Sequence, residues 1–196
     1  CIRDRHVIGV NPDNGTVEWS FADWGSKDSK RANIAPNTPL YKDGKIFFCH
    51  GYNINGVMLQ LSDDLKSVSV VWRTDVLDTH HGGYVEVNGT IYGSNWINNN
   101  QGNWCAIDWN TGAKGYETTW TGGKGKGSII AADGMLYCYD ERRGAVALVN
   151  PDPAKFDIVS EFRITKGVGP HWAHPVIVNG VLYIRHGFAL MAYKMK

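Results

Sequence analysis

Three features of the 196-residue sequence predict an all-β fold, a β-propeller of four-stranded antiparallel blades. One motif returns at a fixed interval, each copy carries Asp-Gly or Asn-Gly at the same place, and no amphipathic helical pattern intervenes. A repeat of this length with two strand pairs per period matches a propeller blade and is too rich in strands for a helical solenoid.

Residues 39–48 (PLYKDGKIFF), 84–93 (YVEVNGTIYG), 129–138 (IIAADGMLYC) and 175–184 (PVIVNGVLYI) align, and Gly44, Gly89, Gly134 and Gly180 follow one another at intervals of 45, 45 and 46 residues. Asp-Gly and Asn-Gly accept the positive φ angles of a two-residue type I′ turn, so each segment reads as a hairpin. A second unit, residues 9–19 (GVNPDNGTVEW) and 106–116 (AIDWNTGAKGY), reads as strand, glycine turn and strand, with an aromatic on the second strand. Looser copies end at Trp72 and Phe162.

With strands named a to d from the inside outward, the first hairpin is a–b and the second c–d. One domain, 1–196, then contains strands c and d of a blade at about 6–21, full blades at about 34–73, 82–120 and 127–163, and strands a to c of a last blade at about 173–196. Both ends hold a strand c and do not complement each other. The expectation is the C-terminal part of a seven- or eight-bladed ring, with the remaining blades upstream.

Bulk properties narrow the function. Lys and Arg number 20 against 19 Asp and Glu, for a net charge of +1, and the only basic runs are residues 27–31 and 124–126. That is no footprint for nucleic acid. No stretch reaches the roughly 18 consecutive apolar residues of a transmembrane helix. Cys1, Cys49, Cys105 and Cys138 lack CxxC spacing, and Cys105 and Cys138 read as small core residues. A lipid-bearing first residue is the minor reading of Cys1. Residues 122–127 (GGKGKG) lack Walker spacing and a following helix, and the sequon at Asn88-Gly-Thr90 falls on a tight turn, so both are read as structural.

The unit Ala106-x-Asp108-x-x-Thr111-Gly112-x-x-x-Tyr116 resembles the tryptophan-docking motif of the quinoprotein-type (PQQ-like) propeller repeat family, and Asn11, Gly15 and Trp19 occupy the corresponding positions of the earlier copy. The acid or amide ties down the turn, glycine supplies the backbone angle, and the aromatic wedges against the next blade. The family includes PQQ-dependent dehydrogenases and non-catalytic scaffolds of BamB type, and the last 26 residues resemble uncharacterised bacterial members. Membership implies a bacterial periplasmic or envelope location. For a catalytic member it implies PQQ with calcium, a vicinal Cys-Cys pair and a Glu/Asn/Asp calcium set. The sequence contains no Cys-Cys, and those carboxylates cannot be assigned.

In this topology the d–a connections and b–c loops share one face, at the mouth of the channel. They carry His50, Tyr52, His80, His81, Asn95, Trp96, Asp140, Glu141, Arg142, His171, Trp172, His174, Arg185 and His186. Functional groups on one rim of a rigid repeat scaffold are the pattern of a binding site. Three ligand chemistries remain open. His80, His81, His171 and His174 could take a metal. Trp96 and Trp172 with Asn95, Asn98, Asn99, Asn100 and Arg185 would suit a sugar or polyol. Arg142, Arg143, Arg185 and Lys126 could clamp an anion or acidic peptide. The first expectation is a non-catalytic envelope scaffold binding a small molecule, glycan or protein segment. The alternative is part of a quinoprotein dehydrogenase or other propeller enzyme acting on alcohols or sugars.

Overall fold

The computed structural model describes residues 2–3, 6–22 and 35–195. The lipid reading of Cys1, the basic run 27–31 and the whole d–a connection at 24–33 lie outside them. Five antiparallel sheets follow one another along the chain. The first contains β1 (Ile2–Arg3), β2 (His6–Val10) and β3 (Val17–Phe21), one short strand more than the sequence suggested. The second is β4 (Leu40–Lys42), β5 (Lys45–Cys49), β6 (Gly56–Leu61) and β7 (Val68–Thr74). The third is β8 (Tyr84–Val87), β9 (Thr90–Ser94), β10 (Trp104–Asp108) and β11 (Lys114–Thr118). The fourth is β12 (Gly127–Ala132), β13 (Met135–Asp140), β14 (Ala145–Asn150) and β15 (Asp157–Arg163), and the fifth β16 (Val176–Val178), β17 (Val181–His186) and β18 (Ala189–Lys194). Every neighbour in a sheet is also the neighbour in sequence, and no helix occurs among the described residues.

The Asp-Gly and Asn-Gly pairs form the expected turns. Asp43, Asn88, Asp133 and Asn179 have φ of 50° or 51°, and their glycines lie between 72° and 83°. Register pairs Val87 with Thr90 and Ala132 with Met135, leaving two residues in each loop. The other recurrent device is invisible in the residue types. Each c–d pair is bulged at one place, between Gly9/Val10, Met58/Leu59, Ala106/Ile107 and Leu148/Val149. A bulge there adds twist to the outer half of the sheet.

The core is divided among the seams between successive sheets. Because side chains alternate along a strand, neighbours in β5 and β10 serve opposite seams. Ile46 and Phe48 pack toward the first sheet with Val7 and Trp19, whereas Phe47 packs toward the third with Ile91, Ile107 and Trp109. Ala106 joins Tyr92, Trp104 and Leu136 in the seam between third and fourth sheets; Tyr139 and Ile184 anchor the next. Cys49, Cys105 and Cys138 are free and fully enclosed in these seams, and burial pushes their thiols up.

The c–d turns also lock one sheet to the next. Asp108 accepts the amides of Asn110 and Thr111 and the Thr111 hydroxyl, at 2.8–2.9 Å. Gly112, at φ 70°, lies under the Trp72 indole of the preceding sheet, so close that a Cβ there would sit 2.6 Å from the ring. Asn11 makes the corresponding side-chain bond to the Asp13 amide, and Gly15 has φ 74°. Tyr116 packs against Phe156 of the fourth sheet.

Candidate functional site

On the loop face, short polar side chains fix the backbone before any ligand group is presented. Asp78, in the connection from β7 to β8, accepts the amides of Gly51 and Asn53 at 2.7 and 2.6 Å and so holds the β5–β6 loop, where Tyr52, Asn53 and Asn55 all adopt positive φ. Burial pushes its carboxyl up to about 6, against the pull of those amides. Asp140 does the same two sheets on, accepting the amides of Lys124, Arg142 and Arg143. Asn95 bonds Val76 O, the Glu117 carboxylate and the Asn103 amide. Asp140 and Asn95, read from the sequence as ligand groups, are thus placed within the loop framework.

Above this framework lies a continuous set of rings. Tyr52 Oη is 2.9 Å from His80 Nε2, and the Tyr52 ring packs against His80 and Trp96 with centroids 4.5 and 4.8 Å apart. His80 meets His81 at 4.9 Å, and His81 meets Trp172 at 5.5 Å. Trp172 is 58% exposed. His174 Nε2 lies 2.8 Å from His81 O, which ties the loop before β16 to the loop before β8. Beneath His81 and His174 is a cavity of about 290 Å³ reaching Leu40, Tyr84 and Ile129, near the inner strands of three sheets.

His81 is also the outer member of a largely buried chain of polar side chains. Its Nε2 is 3.0 Å from one Glu141 oxygen, and Lys126 Nζ is 2.5 Å from the other. Burial pushes the Glu141 carboxyl up, but hydrogen bonds from His81 and Lys126 and the charge of Lys126 outweigh it and hold the group below its usual range. Lys126 gives its remaining donors to the carbonyls of Asn98 and Asn99.

The imidazoles therefore do not form one cluster. His171 and His186 are a separate stacked pair, centroids 3.7 Å apart, with His171 Nδ1 on the Tyr139 hydroxyl at 2.5 Å and His186 between the carbonyls of Lys166 and Gly169. Burial first, then the neighbouring His186, lowers the His171 pKa. His50 is buried edge-on to Phe48. Because His171 belongs to this second pair, His80, His81, His171 and His174 do not converge, and among the described residues no three His, Cys, Asp or Glu side chains could hold a metal ion. The proposed anion clamp is likewise dispersed: Lys126 is committed to Glu141, Arg142 bonds Asn100 O, and Arg185 stands exposed at the end of β17.

PQQ with calcium does not fit the described residues. The free cysteines lie singly in separate strands, and Asp78, Asp140 and Glu141 direct their oxygens to backbone amides, Lys126 or His81. Sequence reasoning missed Asp78 and Tyr139. Asp78 sits in a d–a connection whereas its functional equivalent Asp140 ends strand β13, so no repeat spacing marks it.

The arrangement of sheets defines the fold as a β-propeller like those of the quinoproteins. It is similar to BamB from Moraxella catarrhalis, with TM-score 0.68 and 15% identity over 96% of this chain and 52% of that one. It is also similar to the quinohemoprotein alcohol dehydrogenase ADHIIG from Pseudomonas putida HK5, with TM-score 0.55 and 16% identity over 76% and 28% of the two chains. A europium-containing methanol dehydrogenase gives TM-score 0.56 and 12% identity over 91% and 46%. The chain spans about half the length of BamB. No family model and no curated protein matches the sequence.

Proposed function

We propose that the protein is a non-catalytic binding scaffold of the bacterial envelope that holds a ligand or protein segment on the ring cluster of its loop face. The observation that carries this reading is the division of labour on that face. Asp78, Asp140 and Glu141 are buried and bonded, so the groups presented around His81 are rings, ending in exposed Trp172. Rigid aromatic surfaces give contact area at low entropic cost and suit peptide or sugar faces better than proton transfer. The likeness to BamB supports a protein partner, and the likeness to the two dehydrogenases supports a second reading as part of a quinoprotein-type enzyme.

Thermal shift separates the two. Addition of peptide or oligosaccharide libraries is expected to raise Tm of the wild type, and Trp172→Ala is expected to remove the response while leaving Tm of the free protein unchanged. A shift with PQQ and calcium together with dye-linked alcohol oxidation would replace the scaffold reading with the enzymatic one. A library response that Trp172→Ala and His81→Ala both leave intact would place binding elsewhere.

A further inference from the structure

A second cleft lies between the third and fourth sheets, and its lining includes no member of the ring cluster. It encloses about 670 Å³ and is bounded by Ile97, Gln101, Trp120, Thr121, Lys124 and Arg142 among others. Small-molecule sites commonly fall between about 300 and 1,000 Å³.

Its wall is held rigid by an unusual arrangement. The carbonyls of Asn98, Asn99 and Asn100, three in succession, are pinned by two cations: Lys126 takes the first two at 3.1 Å and Arg142 the third at 3.0 Å. Asn98 and Gln101 close the loop through a bridge and a side-chain bond of 2.9 Å. The loop leaves the side chains of Asn100 and Gln101 along the cleft. A wall fixed before binding saves the ordering cost that a free loop would incur.

The charge of the lining is one-sided. Lys124 and Arg142 line the cleft and no Asp or Glu does. Lys124 is exposed, and among the described residues no carboxylate lies at ion-pair distance from it. The acids behind the wall are already engaged, Asp140 by the backbone amides of Lys124, Arg142 and Arg143, Glu117 by the side-chain amides of Asn95 and Asn103, and Glu161 by the Trp120 indole at 2.9 Å. Gln101 and Thr121 add hydrogen-bonding groups of the kind that read hydroxyls, and Ile97, 47% exposed, adds an apolar wall.

We propose that this cleft binds an acidic oligosaccharide, with the cationic ends of Lys124 and Arg142 on the carboxylates and the amide and hydroxyl groups on the sugar ring. A bare anion would use the cations and leave most of the volume and its polar lining empty. A neutral sugar would leave Lys124 without a partner. The glycine-lysine run 122–127 thereby gains a role that its lack of a following helix denies it as a phosphate loop. The inference does not depend on the ring cluster.

Isothermal titration with trigalacturonate, maltotriose and inorganic phosphate tests it. Trigalacturonate is expected to bind saturably, at least about tenfold more tightly than maltotriose, and Lys124→Ala is expected to weaken it about tenfold through loss of a charge-assisted contact. Trp172→Ala is expected to leave this binding unchanged, which keeps the test separate from that of the ring cluster. Circular dichroism serves to check that Lys124→Ala is folded, and Gln101→Ala provides an independent variant expected to weaken the sugar complex but not phosphate. Equal affinity for maltotriose, full competition by phosphate at the same concentration, no binding of trigalacturonate, or an unchanged affinity in Lys124→Ala would each overturn the proposal.

Discussion

Asp78 shows how a single buried carboxyl can set the pH response of the loop face. Its two oxygens hold the amides of Gly51 and Asn53, yet burial dominates and raises its native pKa from 3.8 to about 6. The sign follows from linkage: the carboxyl stabilises fully below pH 3.8, and that contribution is lost as pH rises through 6. A shift of this size corresponds to about 3 kcal/mol. Glu141 acts the other way, losing its contribution as pH falls through its depressed native value, and the lowered His171 loses its contribution as pH falls below 6.5. The Asp78 effect is isolated by urea denaturation of wild type and Asp78→Asn between pH 4 and 7. The wild type is expected to lose stability relative to the variant across that range; a constant difference would show that the carboxyl does not titrate there. At this scale the sequence placed the histidines on one face but could not sort them. His80 and His81 diverge from His171 and His186 because the latter pair is captured by Tyr139 and by loop carbonyls, partners that no spacing in the chain encodes.

Within the elements, the hairpins were legible because Asp-Gly and Asn-Gly have a local backbone reason to be there. The recurrent c-strand bulge was not, since it falls on residue pairs as different as Gly9/Val10 and Leu148/Val149. The c–d turn lies between these cases. Its fastening by Asp108 follows from the sequence, whereas the identity of the ring above Gly112 depends on the neighbouring sheet. Gly15 and Gly112 have φ of 74° and 70°, but only Gly112 has an indole over it among the described residues. Alanine at Gly15 is expected to cost about 1 kcal/mol for the left-handed angle alone. Alanine at Gly112 must also displace Trp72, and is expected to cost about 1–3 kcal/mol more. Chemical denaturation of the two variants measures the difference, and equal costs would mean that Trp72 moves aside freely.

At the scale of the molecule, stability is spread over separate seams. Trp72 belongs to the seam between the second and third sheets and Trp120 to that between the third and fourth. Alanine substitutions at these two positions are expected to add within about 0.5 kcal/mol. Trp72 and Phe47 share a seam with ring centroids 5.6 Å apart, so the double variant at those positions is expected to depart from additivity. Strong coupling between Trp72 and Trp120 would instead show that the sheets fold as one indivisible unit.

The Trp72–Gly112 contact also has a bearing on descent. The wedge is supplied by one repeat and its seat by the following one, a head-to-tail joint rather than a self-complementary one. A duplicated unit arrives with one of each and can extend the array without inventing a new interface. The later joints are made differently, Tyr116 meeting Phe156 and Phe162 meeting Tyr193. Each repeat has therefore become a key cut for its own successor. Exchanging two of them would set the Trp72 indole against a turn other than the one that seats it, so the serial order of the repeats is written into their joints as well as into the peptide chain.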